Sequence, residues 1–241
     1  QEFGHEKDTV SKAELGITEL SFKRASIEEK AENYTQARNL YLRLLKNRWN
    51  IATAHRRFVR VSAKLDKLNE TQTYYKKRLK TNEGNAFTHY GLALTLTYNR
   101  NSGFIESKKH LRLALKINPQ LAEAHLTLGW IRLQQEHAEP NKNWLEKADN
   151  SFATAEQLIK RGAQPELAAA IDLNKGHTLY ALGKTDEAFK AFLSRELNQT
   201  PFSNKLNELV FREFFARTAL REEEYDVGID MAKTAASIAK V

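Results

Sequence analysis

The chain is expected to be all-α, built from helical hairpins, on three observations. Its composition favours helices: Leu, Ala, Lys, Arg and Glu dominate, with only 10 Gly and 4 Pro in 241 residues. Apolar residues recur at three- and four-residue spacing rather than alternating. All four prolines, Pro119, Pro140, Pro165 and Pro201, fall between or at the edges of those periodic stretches, where a fixed φ and a missing N–H do no harm.

The stretch Ala169–Leu197 shows the unit most clearly. Two amphipathic patterns flank a tight turn at Leu182-Gly183-Lys184-Thr185. Gly176 and Ala188 are small where two helices must cross closely, and Leu173, Leu179, Tyr180, Phe189 and Phe192 give each helix a wide apolar face. One hairpin cannot bury that much surface alone, so copies are needed on either side.

In chain order, residues 1–9 lack periodicity and read as a frayed terminus. A helix is expected from Val10 through Leu15 and Leu20 towards Ile27 and Ala31, capped by Asp8 or Thr9. Thr35–Lys46 follows, with Ala37, Leu40, Tyr41, Leu44 and Leu45 on one face. Then come Ala52–Leu65 with Glu70–Leu79, Ala86–Tyr98 with Ile105–Ile117, and Ala122–Gln135 with Trp144–Ile159. The hairpin around Gly183 is next, and Leu209–Glu222 with Tyr225–Ala239 closes the chain.

Hairpins beginning near residues 18, 52, 86, 122, 169 and 209 superimpose on one template. The first two steps are each 34 residues, and the later ones lengthen to 36, 47 and 40, with every excess in a loop. Residues 1–17 form an N-terminal extension that includes the start of the first helix, and 18–241 the repeat array. Small residues mark the hairpin crossings: Ala93, Ser107 and Ala114 in the third unit, Gly129, Ala148 and Ala155 in the fourth, Gly176 and Ala188 in the fifth. The sixth is degenerate, with Ala216, Gly228, Ala232 and Ala235, and the second has Val59 and Thr71 where smaller residues are usual.

This period and these positions resemble the tetratricopeptide repeat (TPR) family over nearly the whole chain. The family's Trp near the start of each first helix is replaced by His55, His89 and His125. The resemblance implies a right-handed α-solenoid of about six helix-turn-helix repeats, whose first helices line a concave surface that holds a protein or peptide. By register, that groove would carry Arg56, Arg57, Arg60 and Lys64, then Phe87, Tyr90, Leu94 and Tyr98. Next come Leu126, Trp130 and Gln134, then Asn174, His177 and Tyr180, then Glu213, Arg217 and Arg221. Helical spacing supports the second-unit assignment independently, because His55, Phe58, Val59, Ser62 and Leu65 share one face and leave the four cations on the other. The Lys/Asn pattern of the family's carboxylate-clamp members is not reproduced.

Charge adds a partner class. Residues 1–121 carry 23 Lys+Arg against 12 Asp+Glu, and residues 122–241 carry 15 against 18. No acid lies between Glu32 and Asp66. A basic front followed by aromatic positions suits a segment with acidic and apolar character. Two alternatives are binding of nucleic acid or another anionic polymer through the strip 38–80, and a structural spacer that homodimerises through its terminal repeats, where Val210, Phe214 and Met231 need cover.

Catalysis, cofactors and metals find no support. With no cysteine there is no disulfide or thiolate site. HExxH, GxSxG, GxGxxG and P-loop patterns are absent from the sequence. His55, His89 and His125 would sit about 10 Å apart on successive helices, too far to share a zinc ion bound at about 2 Å, so they are expected to be packed at hairpin contacts. No apolar run is long enough to span a membrane. The expectation is a soluble, non-enzymatic chain, cytoplasmic or periplasmic, without membrane insertion.

Overall fold

The computed structural model describes residues 2–48, 50–81, 85–99, 104–138, 142–159, 164–202 and 205–240, with side chains described from residue 16 and excluding those of residues 137 and 142. Among them are twelve helices and no strand. The chain divides into two compact units, Gln1–Leu121 and Ala122–Val241.

The first unit holds α1 (Glu2–Lys30), α2 (Tyr34–Asn47), α3 (Ala52–Lys64), α4 (Leu68–Thr81), α5 (Ala86–Tyr98) and α6 (Ile105–Ile117). α1 packs on α2, α2 on α3, α3 on α5, and α5 on both α4 and α6. The expected frayed start is corrected: α1 is already helical at Glu2. Its N-terminal stretch is polar enough to show no apolar period, and a helix without an amphipathic stripe is invisible to a periodicity argument.

The core of this unit is aromatic. Tyr41, Phe58, Tyr75 and Tyr90 are fully buried, with the Phe58 ring edge-on to Tyr74 and Tyr75. The two small positions expected at the α5–α6 crossing do meet, since Ser107 Oγ donates to the Ala93 carbonyl at 2.9 Å. Arg38 fastens α2 to its neighbours, donating to Ser62 at 3.1 Å and pairing with Glu70 at 3.2 Å.

The second unit holds α7 (Ala122–Ala138), α8 (Lys142–Leu158), α9 (Pro165–Ala181), α10 (Thr185–Leu197), α11 (Lys205–Arg221) and α12 (Tyr225–Ala239). Each consecutive odd–even pair packs as a hairpin. Pro165 opens α9, where its missing N–H has no partner to lose. At the α7–α8 and α9–α10 crossings glycine is required sterically. A Cβ on Gly129 would stand 2.5 Å from the Phe152 ring, and one on Gly176 2.5 Å from Phe192.

Four first-to-second helix turns share one backbone device. Glu32, Asp66, Gly183 and Glu223 have φ of 59°, 56°, 77° and 62°. The next residue's N–H bonds back five residues in each: Asn33 to Glu28, Lys67 to Ser62, Lys184 to Leu179, Glu224 to Ala219. This is a left-handed C-cap that satisfies carbonyls the helix end leaves open. Its recurrence is the repeat written in backbone form, and Glu32 and Asp66 are 34 residues apart.

Candidate interaction surface

In the first unit the basic stripe of α3 meets an acid from α1. Glu29 is 8 % exposed. Its carboxylate accepts from Arg57 Nη1 at 3.0 Å, from Arg60 Nε at 2.8 Å and Nη2 at 2.5 Å, and from the Tyr41 hydroxyl at 2.9 Å. A carboxylate with this many charge-assisted donors is held firmly, and holds them in turn. The Tyr41 phenol is pushed well above its ordinary value, first by burial and then by the Glu29 charge.

This arrangement corrects part of the sequence-derived groove. Arg57 is buried on Glu29, and Tyr90 and Leu94 are core residues at 0 % and 5 % exposure. α5 explains the aromatic misplacement. It is buried around most of its circumference, from Ala86 through Thr97 with few gaps, so no apolar stripe marks its inward side.

Other expected residues stay at the surface. Lys64 and Tyr98 are exposed, and Arg56, Arg60 and Phe87 are half-buried. Phe87 stacks on His55 with ring centroids 6.3 Å apart. The Tyr98 phenol is raised by burial, with Arg60 and Arg56 pulling it back. The Tyr98 ring at the end of α5 thus lies within the field of two α3 guanidinium groups.

In the second unit, Leu126 is core, while Trp130 and Gln134 are half-buried on α7. On α9, Asn174 donates to the Ala170 carbonyl at 2.7 Å. His177 packs against Phe192 and Phe214, at 5.5 and 4.7 Å between centroids. Tyr180 lies edge-on to Phe214 at 5.3 Å, and the Arg221 guanidinium stands 4.7 Å from the Tyr180 ring centroid. Glu213 and Arg217 pair with each other on the exposed side of α11. Trp130 is thus placed on α7, whereas His177, Tyr180 and Arg221 converge at the α9–α11 contact.

A shallow cavity of about 570 Å³ lies between the end of α10 and α11, lined by Arg195, Phe202, Lys205 and Arg212 among others. Arg195 donates to the Thr200 carbonyl and stands 4.0 Å over Phe202, and Arg212 pairs with Glu196 at 2.7 Å. These contacts fix the α10–α11 connection.

The histidines pack as expected at two positions: His55 Nδ1 lies 2.8 Å from the Tyr75 hydroxyl, and His89 Nδ1 lies 2.9 Å from His110 Nδ1. The residue that sequence reasoning missed is Glu29. The signal was present in α1, where Phe22, Ala25 and Glu29 share a face, an acid in line with apolar residues.

No family model matches this sequence, and no curated protein does. Solved structures do. One is TTC0263, a thermophilic TPR protein of Thermus thermophilus, at 20% identity and a TM-score of 0.56, covering 84% of this chain and 99% of that one. Another is PilF of Pseudomonas aeruginosa, at 17% identity and a TM-score of 0.60, covering 90% and 89%. A third is YrrB, described as a TPR protein with an unusual peptide-binding site, at 16% identity and a TM-score of 0.53, covering 82% and 91%. The expectation of an all-α, TPR-like helical repeat is therefore met: this chain is similar in fold to tetratricopeptide repeat proteins.

Proposed function

We propose that the chain is a protein-interaction scaffold that holds a segment of another protein against the first-helix side of its repeats. In the first unit the contact surface is Arg56, Arg60, Lys64, Phe87 and Tyr98; the second unit has its own candidate surface, with Trp130, Asn174, His177 and Tyr180. The observation that carries this reading is Tyr98. It is a large aromatic side chain left 44 % exposed beside Arg60 and Arg56, and aromatic and arginine side chains are the usual anchors of protein interfaces. A segment with an apolar or aromatic residue next to Asp or Glu fits this chemistry. The peptide-binding site named for YrrB is consistent with such use of the fold.

Nucleic acid is the weaker reading. Within the strip 38–80, Arg38 is paired with Glu70 and Arg57 is buried on Glu29, which lowers the number of cations left for phosphates.

Selection from a random peptide display library tests the proposal. Enriched peptides should combine acidic and apolar residues. Their affinity should fall by about 10-fold or more in Tyr98→Ala and in Lys64→Glu. Peptides that bind both variants as tightly as the parent chain would refute the surface.

A further inference from the structure

α1 is apolar on two opposed faces. Phe22 and Ala25 turn inward, with the Phe22 ring 5.8 Å from Tyr41 of α2. The other face carries Ile17, Leu20 and Ile27, which are 65%, 68% and 66% exposed. Three large aliphatic side chains on one solvent-facing stripe are a standing cost, which covering them would remove.

Their spacing is informative. Ile17, Leu20, Arg24, Ile27 and Ala31 alternate steps of three and four, and in sequence the alternation continues back to Ala13 and Val10. Within the described side chains of α1, that is the seam of a left-handed two-stranded coiled coil, with Ile17 and Arg24 at a and Leu20 and Ile27 at d. The β-branched Ile17 at a beside Leu20 at d is the pairing that favours two strands, and one polar residue at a fixes register while weakening association.

We propose that a second copy of this chain covers the stripe, as a parallel, in-register pair of α1 helices. The flanking charges decide the orientation. Lys23 and Lys30 lie on one edge of the seam and Glu28 on the other. Parallel alignment brings each Lys23 beside the other copy's Glu28, whereas antiparallel alignment sets lysine edge against lysine edge. Lys23 now pairs with Glu19 at 2.8 Å in full solvent, and Glu28 accepts from Asn33 at an exposed site; exposed contacts of this kind are cheaply exchanged. The two Arg24 side chains meet mid-seam, which sets the register and makes the dimer weak and reversible.

The full chain is followed by sedimentation velocity across the micromolar range. A reversible dimer is expected. Its dissociation constant should rise about 100-fold or more in Leu20→Glu and fall in Arg24→Leu. Lys23→Glu should weaken it, and Lys23→Glu with Glu28→Lys should restore it. Because the chain has no cysteine, Ile27→Cys gives a direct register test: identical positions meet only in the parallel pair, so it should oxidise to an intermolecular disulfide while the exposed Lys77→Cys does not. None of these side chains is buried, so circular dichroism should be unchanged throughout. A monomer in both the parent chain and Arg24→Leu overturns the proposal. So does a dimer indifferent to Leu20→Glu, or one strengthened by Lys23→Glu.

Discussion

Glu29 is the residue on which the first unit's electrostatics turn, and Glu29→Met isolates it. The substitution keeps the side chain's bulk and removes its charge. Arg57 is left with its side chain 7% exposed and its carboxylate gone, a broken buried pair that costs about 3–5 kcal/mol. Arg60 adds little, because its side chain is 37% exposed and can turn to water, where an ion pair is worth about 0–1 kcal/mol. Tyr41 loses a hydrogen bond of about 1 kcal/mol. The total is a large share of the roughly 5–15 kcal/mol that stabilises a domain. Urea denaturation followed by amide hydrogen exchange should show the loss in α1, α2 and α3, with protection in α9 to α12 unchanged. The double variant Glu29→Met/Arg57→Met removes both members of the buried pair and should recover about 2 kcal/mol or more of the loss. A single-variant cost below about 1 kcal/mol, or a double variant worse than the single, would refute the reasoning.

Three further outcomes are expected. Gly129→Ala and Gly176→Ala place a methyl group 2.5 Å from a buried phenylalanine ring and should each cost about 1–3 kcal/mol; Gly16→Ala, with nothing within 4 Å, should instead stabilise by up to about 1 kcal/mol, all read by thermal denaturation. Glu223→Gly should stabilise and Gly183→Ala destabilise, each by about 1 kcal/mol, because both positions hold a left-handed φ that disfavours a Cβ. Stability should fall at both ends of a pH series of urea melts. The Tyr75 phenol is raised above its ordinary 10.0, by burial first and then by Tyr74 and Tyr90; the native state therefore keeps a proton that the unfolded chain releases, and stability declines as pH rises past 10. His110 is lowered from 6.5, by burial first and then by His89, with Lys109 and Lys76 reinforcing and Glu106 opposing; the unfolded chain then binds the proton first, and stability declines as pH falls below 6.5, a slope that His110→Gln should flatten.

The limits of the sequence follow from what periodicity can and cannot encode. α5, α6 and α12 run between the same residues that their patterns predict, because turn residues and apolar spacing end together at those points. The small residues at hairpin crossings were also legible, since Ala93, Ser107, Gly129 and Gly176 all stand where helices touch. The orientation of α3 was not. Its cations form a polar stripe by any helical count, but their partner is Glu29, 28 and 31 residues away in sequence, and a non-local ion pair leaves no periodic trace. The left-handed turns were legible only at Gly183; at Glu32, Asp66 and Glu223 the same backbone is occupied by residues that do not advertise it.

The buried pairing at Glu29 also changes where the first unit's charge acts. A surplus of cations in residues 1–121 suggests a groove with a positive entrance, yet two of the four α3 cations are spent on one carboxylate. Exposed cations stand instead on the second helices of the hairpins: Lys76, Lys77 and Lys80 on α4, and Lys109, Arg112 and Lys116 on α6. Charges away from the contact patch raise encounter rates with an acidic partner more than they hold it. Of the side chains expected at the first unit's inner surface, Tyr98 and Lys64 are the ones left exposed. In a fold of stacked helices, most first-helix side chains are needed to bury one hairpin against the next, so long-range packing, which sequence register does not encode, decides which of them stay exposed.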